Sequence, residues 1–245
     1  MIEGPDAAAF AHAQFSSKIS TLDIGQWQFS AWLDAKGRVR TLFHVARLDQ
    51  ERYLLLLRGG SAAAMVESLR RFVFRSKLTL TTPPMRILTT GDARPMHSVV
   101  QHENSISLGC GSHSLAIVST QDPDDGWRLL QLRDGWPWLP DSALDTLLPA
   151  ALSLQRLQAV AVDKGCYPGQ EIVARLHFRG GHKRHLHRGT LSQTVSAGET
   201  LRIDGREVGC VLDVVVDDDR SEALLVLNDD VSSPLSAGVA HAFDG

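Results

Sequence analysis

Cysteine is scarce in this 245-residue sequence: Cys110, Cys166 and Cys210 are the only three. An odd number at such wide spacing argues against a disulfide framework and predicts a reducing compartment. No C-x-x-C pair occurs, so neither a zinc ribbon nor a complete cluster site of the protein's own is expected. Long apolar runs are also missing, and stretches such as Leu54–Leu57 fall far short of a bilayer span. The first ten residues carry Glu3 and Asp6 and lack the basic-then-apolar order of a secretory signal. Together these absences predict a cytoplasmic protein without a membrane partner. Excess positive charge is lacking too: 25 Lys and Arg face 28 Asp and Glu, a net charge of -3. A protein-wide attractive field for nucleic acid is therefore excluded, and any RNA contact must be local.

What is present is ordinary for a globular chain: 43% hydrophobic and 22% charged residues, and length enough for more than one core. Asp6, after Pro5, predicts the cap of a short helix through about Gln14. Gln26 to Leu33 alternates, with Trp27, Phe29, Ala31 and Leu33 on one side. Asp34-Ala35-Lys36-Gly37 is turn chemistry, and Val39, Thr41, Phe43 and Val45 resume the alternation, so a hairpin is expected. Tyr53–Leu57 reads as a strand, Ser61 as the N-cap of a helix carrying Met65, Val66, Leu69, Phe72 and Val73, and Lys77–Thr81 as a further strand. Residues 91–125 predict short strands and loops, ending in the acidic turn Asp122 to Gly126. From Thr190 onward, alternating strands (Val208–Val216, Ala223–Leu227) around a polar turn at Asp217–Ser221 predict an all-β tail, taken as a small barrel, with a boundary near residue 182.

The densest information lies in Lys164-Gly165-Cys166-Tyr167-Pro168-Gly169-Gln170-Glu171. Gly165 and Gly169 permit a close, sharp turn, and Pro168 fixes one of its dihedrals. Cys166 lies beside Lys164 and just before a predicted helix start at Gly169–Glu171, and both features favour a thiolate. A reactive, partly exposed thiol is one reading of this segment; a structural turn around an inert buried cysteine is the other. Ile172, Val173 and Leu176 then suit one helix face. Residues 175–188 hold Arg175, Arg179, Lys183, Arg184 and Arg188, with four histidines and no acid. This local positive tract suits a phosphate backbone, an anionic ligand or an acidic partner, or is a solvated loop and strand. The histidines, His177, His182, His185 and His187, lack a recognised metal-ligand spacing.

The Lys164–Glu171 segment resembles the K-G-C-Y-x-G-Q-E signature of the YgfZ-type, T-protein-related family of folate-binding proteins that support iron–sulfur enzymes, including enzymes that modify tRNA. The resemblance continues through Ile172-Val173-Ala174-Arg175, Phe178-Arg179-Gly180 and Lys183-Arg184, and upstream at Asp34-Ala35-Lys36-Gly37. It implies an α+β fold: T-protein-like interleaved α/β domains around a central folate site over residues 1–181, and a C-terminal β-barrel over 182–245. It further implies tetrahydrofolate or a derivative as cofactor, held by Trp127, Lys164, Tyr167, Gln170, Glu171 and Arg175, with Cys166 as the functional thiol. Trp127 is thus a candidate to stack on a flat folate ring, or else a half-buried strand residue. Implied partners are iron–sulfur enzymes or assembly proteins, and tRNA through the Arg175–Arg188 tract. Two departures bear on folate affinity rather than fold: no tryptophan precedes the first helix, and His12-Ala13-Gln14 stands in place of a Q-G-Q turn. A third bears on chemistry. Arg40-Thr41-Leu42 occupies the place of the T-protein's catalytic aspartate, and no carboxylate lies between Asp34 and Asp49. The expectation is an accessory role, with folate-dependent aminomethyl transfer as the alternative.

Overall fold

The computed structural model describes residues 1–84, 86–119, 124–191, 195–217, 220–231 and 239–240. Its first layer is built on the hairpin. Strands β1 (Ile2–Glu3), β2 (Gln26–Leu33), β3 (Val39–Arg47), β4 (Arg52–Leu57) and β5 (Thr79–Leu80) form an antiparallel sheet in the order β2-β3-β4-β1-β5. The turn closes as its chemistry requires: the Asp34 carboxylate accepts from the N–H groups of Lys36 and Arg38, both at 2.8 Å, and Gly37 takes φ 77°. Alternation puts Trp27, Phe29, Ala31 and Leu33 into the main core, while Trp32, Phe43 and Val45 face the other way. That second face is covered by helices α1 (Ala7–Gln14) and α2 (Ala62–Arg70), which bring Phe10, Ala11, Met65 and Leu69 to it. The hairpin is thus buried on both faces. Ser61 caps α2 by accepting from Ala64 N–H. Asp6 does not cap α1; its carboxylate accepts from Lys77 N–H at 2.6 Å and ties the helix start to the approach of β5.

A second antiparallel sheet, order β6-β9-β8-β7, is built from β6 (Ile87–Gly91), β7 (Val99–His102), β8 (Ser105–Gly109) and β9 (Ser114–Val118). It joins the first sheet at Gln26–Ser98 and through Trp27 N–H to the His97 carbonyl. The acidic turn before the next element falls partly on Asp122 and Pro123, outside the described residues. Its last part helps to start helix α3 (Gly126–Arg133): the Asp124 carboxylate accepts from Gly126 N–H, and Thr90 Oγ1 accepts from Trp127 N–H. Trp127 is therefore helical, and the half-buried strand reading is overturned by these two acceptors. Proline-rich and irregular chain leads on, with Pro149 opening a short 3-10 turn, before helix α4 (Gln170–Arg179).

The third sheet is antiparallel, in the order β11-β12-β13-β10-β14, from β10 (Arg184–Leu191), β11 (Thr200–Ile203), β12 (Arg206–Asp217), β13 (Arg220–Asn228) and β14 (Val239–Ala240). Among the described residues β11 and β14 are its two edges and do not pair, so it is an open sheet rather than the closed barrel expected. Asp218 and Asp219 of the polar turn lie outside the described residues. Alternation divides this sheet cleanly. Leu186, Leu212, Leu224 and Val226 enter the main core, while Val211, Ala223, Leu225 and Leu227 form a small cluster on the opposite face. Helix α3 is clamped to it by Arg128–Asp213 at 2.6 Å and by Arg133–Glu222.

Candidate functional site

The signature turn is held from within. Lys164 Nζ donates to the carbonyls of His12 (2.5 Å), Phe15 (2.6 Å) and Ser17 (2.9 Å), capping the otherwise orphaned C-terminal end of α1. The ammonium also lies 4.9 Å from the Tyr167 ring centroid. Burial pulls its pKa down to about 8. Tyr167 is buried, its hydroxyl donates to the Ala161 carbonyl at 3.0 Å, and burial pushes it up to about 12. Gln170 Nε2 returns to the Lys164 carbonyl at 3.0 Å and closes the loop. Of the residues assigned to a cofactor, Tyr167 and Gln170 thus bond within the turn and its approach, and Lys164 ties the turn to the end of α1. The lysine expected to act on Cys166 acts on a helix end instead.

Gly169 is where the turn meets the hairpin. It takes φ 78°, and a Cβ there would lie 2.6 Å from the Asp34 carbonyl and 2.7 Å from Gly37 Cα. A Cβ on Gly37 would in turn lie 2.9 Å from Ile172 Cβ. The two signature segments, far apart in sequence, are therefore packed backbone to backbone. Cys166 is exposed on this joint, and the space around Gly165 is open. Cys110 is buried, with its pKa pushed up to about 12 by burial, and Cys210 is half-buried and also raised, again mainly by burial. Glu171 and Arg175 lie on α4, Glu171 exposed and Arg175 with it on the solvent side.

Trp127 is elsewhere. It is 7% exposed and packs on Trp138 at 5.2 Å, and its indole N–H is buried without an acceptor among the described residues. Among those residues no hydrogen bond or ring contact joins it to Cys166, and none of the main clefts is lined by either.

Beside Trp138 lies a centre that sequence reading missed. Arg58 is 1% exposed, with its guanidinium 5.0 Å from a Trp138 ring centroid. Its Nε donates to the Pro137 carbonyl (2.9 Å), Nη2 to the Trp136 carbonyl (2.8 Å), and Nη1 to Gln131 Oε1 (2.5 Å) and His44 Nε2 (3.0 Å). An arginine can only donate, so His44 Nε2 accepts and its proton sits on Nδ1, which is buried without a partner among the described residues. Burial, then the Arg58 charge, hold His44 well below its usual pKa. Among the described residues no carboxylate pairs with Arg58, and burial lowers its own pKa to about 10. The only sequence signal was an arginine ending an apolar strand at Gly59-Gly60.

On the basic tract, Arg175, Arg179 and Lys183 reach solvent, while Arg184 bonds Asn228 and Glu207 and His185 pairs with Asp229. The hairpin position expected to lack a catalytic carboxylate is filled: Arg40 pairs with Asp145 at 3.4 Å and stacks over Trp32 at 4.0 Å. Among the described residues no group of three His, Cys, Asp or Glu could hold a metal ion.

No family model matches the chain. Its architecture is that of the T-protein fold. The solved glycine cleavage system aminomethyltransferase T from Bartonella henselae matches 93% of this chain and 74% of its own length, with TM-score 0.64 at 17% identity. In sequence, the chain is a relative of proteins named tRNA-modifying protein YgfZ. The Klebsiella pneumoniae protein is 27% identical over 94% of this chain and 82% of its own, and that of Pectobacterium carotovorum is 27% identical over 85% and 74%. An uncharacterized protein of Haemophilus influenzae is 24% identical over 95% of this chain and 86% of its own.

Proposed function

We propose that the protein is a folate-binding accessory factor that supports iron–sulfur cluster assembly or repair, and through it iron–sulfur-dependent tRNA modification. The observation that carries this reading is the joint between the two signature segments. Lys164, Tyr167 and Gln170 fix the turn, Gly169 seats it on the Asp34–Gly37 hairpin, and Cys166 is left exposed at the seam. Such rigidity positions one thiol for a partner protein's cluster or sulfur chemistry, to which this chain contributes a single sulfur ligand. The names of the relatives supply the tRNA-modification role.

Support for folate comes from the Trp127 indole N–H, buried without an acceptor among the described residues, for which an acceptor atom of a folate ring would supply the missing partner in the indole plane. Glu171 and Arg175 are the assigned residues whose heads remain open to solvent; Arg175 suits the ligand's carboxylate tail. The aminomethyl-transfer alternative is disfavoured by Arg40, which occupies the hairpin with its own ion pair where a carboxylate would be needed.

The test is complementation of a deletion strain with Cys166→Ala and, as control, Cys110→Ala. Iron–sulfur enzyme activity and tRNA modification should fall with the first variant only, at unchanged thermal stability. A Cys166→Ala protein that complements fully would return the motif to a structural turn. Tetrahydrofolate should also quench tryptophan fluorescence saturably below ~1 mM; without saturation, folate leaves the reading and the thiol role stands by itself.

A further inference from the structure

Helix α4 buries Val173 and turns Arg175, Phe178 and Arg179 to solvent, at i, i+3 and i+4 on one face. Phe178 is 74% exposed. Leaving a phenylalanine in water forgoes the free energy of its burial. Phe74 is a useful contrast, since at 80% exposed it has the Arg75 guanidinium over its ring at 5.2 Å, and Phe72 likewise has Arg71 at 5.0 Å. Among the described residues no cation covers Phe178; its ring contact is with His177, edge-on, at 4.9 Å. Around it Arg175, Arg179 and Lys183 reach solvent and, among the described residues, have no acidic partner. Glu171, one turn earlier on the helix, is the nearest acid in sequence. Past the helix, Gly180 and Gly181 leave open space, and a cleft of about 340 Å³ lies beyond them. It is lined by apolar Leu147, Leu148 and Leu176 together with His182 and the cations Lys183 and Arg184.

We propose that this face is a platform for unpaired RNA: one base stacks on Phe178, the flanking phosphates meet Arg179 and Lys183, and the next base enters the cleft beside Leu176. An exposed aromatic ring among unpaired cations is the arrangement that binds single strands with little sequence preference. A duplex, with its bases already stacked, would gain from the cations alone. The proposal rests on the reading that the Arg175–Arg188 tract contacts tRNA, and it names the form of RNA that the tract selects.

Fluorescence anisotropy with a short unstructured RNA and a blunt RNA duplex of equal length tests it. Phe178→Leu keeps an apolar side chain and removes the ring. It should weaken the unstructured RNA at least about fivefold, the scale of one base–aromatic stack, and leave the duplex unchanged. Phe178→Tyr should restore binding, and Phe74→Leu should have no effect. Arg179→Gln should flatten the salt dependence by about 0.7 in slope, one phosphate's worth for a single strand. If Phe178→Leu binds like wild type, or if Phe74→Leu weakens binding equally, the platform is overturned. Should the arginine variant still lose salt dependence in that case, the tRNA-contact reading survives it. A wild type with no salt-dependent RNA binding at all would overturn both.

Discussion

Replacing Gly169 by alanine sets the sharpest demand on the joint between the signature turn and the hairpin. A Cβ at this position meets the Asp34 carbonyl at 2.6 Å, Gly37 Cα at 2.7 Å and Gly37 N at 3.0 Å, all of them backbone. No side chain can rotate away, so either α4 or the hairpin turn must move. The left-handed φ of 78° costs an L-residue roughly 1–2 kcal/mol, and overpacking against fixed backbone adds about 1–3 kcal/mol. The expected loss is therefore roughly 2–5 kcal/mol, a drop in Tm of about 5–20 °C for a chain of this size. Gly165→Ala, four residues earlier in the same motif, is the matched control. Its Cβ would meet nothing within 4 Å, and its effect should stay within about 0.5 kcal/mol. Thermal and urea unfolding followed by circular dichroism would read both. A Gly169→Ala protein within about 1 kcal/mol of wild type would refute the packed joint, as would equal losses from the two alanines.

Alkylation at pH 8, mapped by mass spectrometry, should modify Cys166 well before Cys110 or Cys210, because burial both hides Cys110 and pushes its thiol up to about 12; first labelling at Cys110 would contradict the geometry. Arg58→Lys keeps the charge but not the planar fork that reaches two carbonyls, Gln131 and His44 together. It should destabilise by about 2–4 kcal/mol in urea unfolding, and a neutral result would mean that the guanidinium is not the centre's anchor.

Local features were legible in the sequence. The Asp34–Gly37 turn, the Ser61 cap and the alternation of Trp27 through Leu33 each depend on residues a few positions apart, and each appears as read. The signature motif identified the relatives. What escaped depends on distant partners. Lys164 looked like a neighbour of the thiol, yet its acceptors lie 147 to 152 residues upstream. Arg58 carries no local signal, because two of its acceptors are carbonyls 78 and 79 residues away that have no sequence signature. Trp127 lies in a helix rather than a strand because Thr90 and Asp124, the first of them 37 residues away, supply the acceptors that start it. The barrel was read from alternating strands and turn spacing, which say nothing of whether the edges β11 and β14 meet.

The Lys164 clamp also sets an order of events during synthesis. Helix α1 is only eight residues long, and its last carbonyls find their donor in a side chain 149 to 152 positions later. Buried Ser16 is likewise bonded to Ala159, 143 positions on. At about 5–20 residues per second, translation separates the helix from its clamp by roughly 7–30 s. Throughout that interval the end of α1 is without its clamp, which comes only with the cysteine-bearing turn. In a ribosome-bound chain stopped short of Lys164 these carbonyls would be left to water, and the arrival of the signature motif would mark the moment at which the end of α1 gains its clamp.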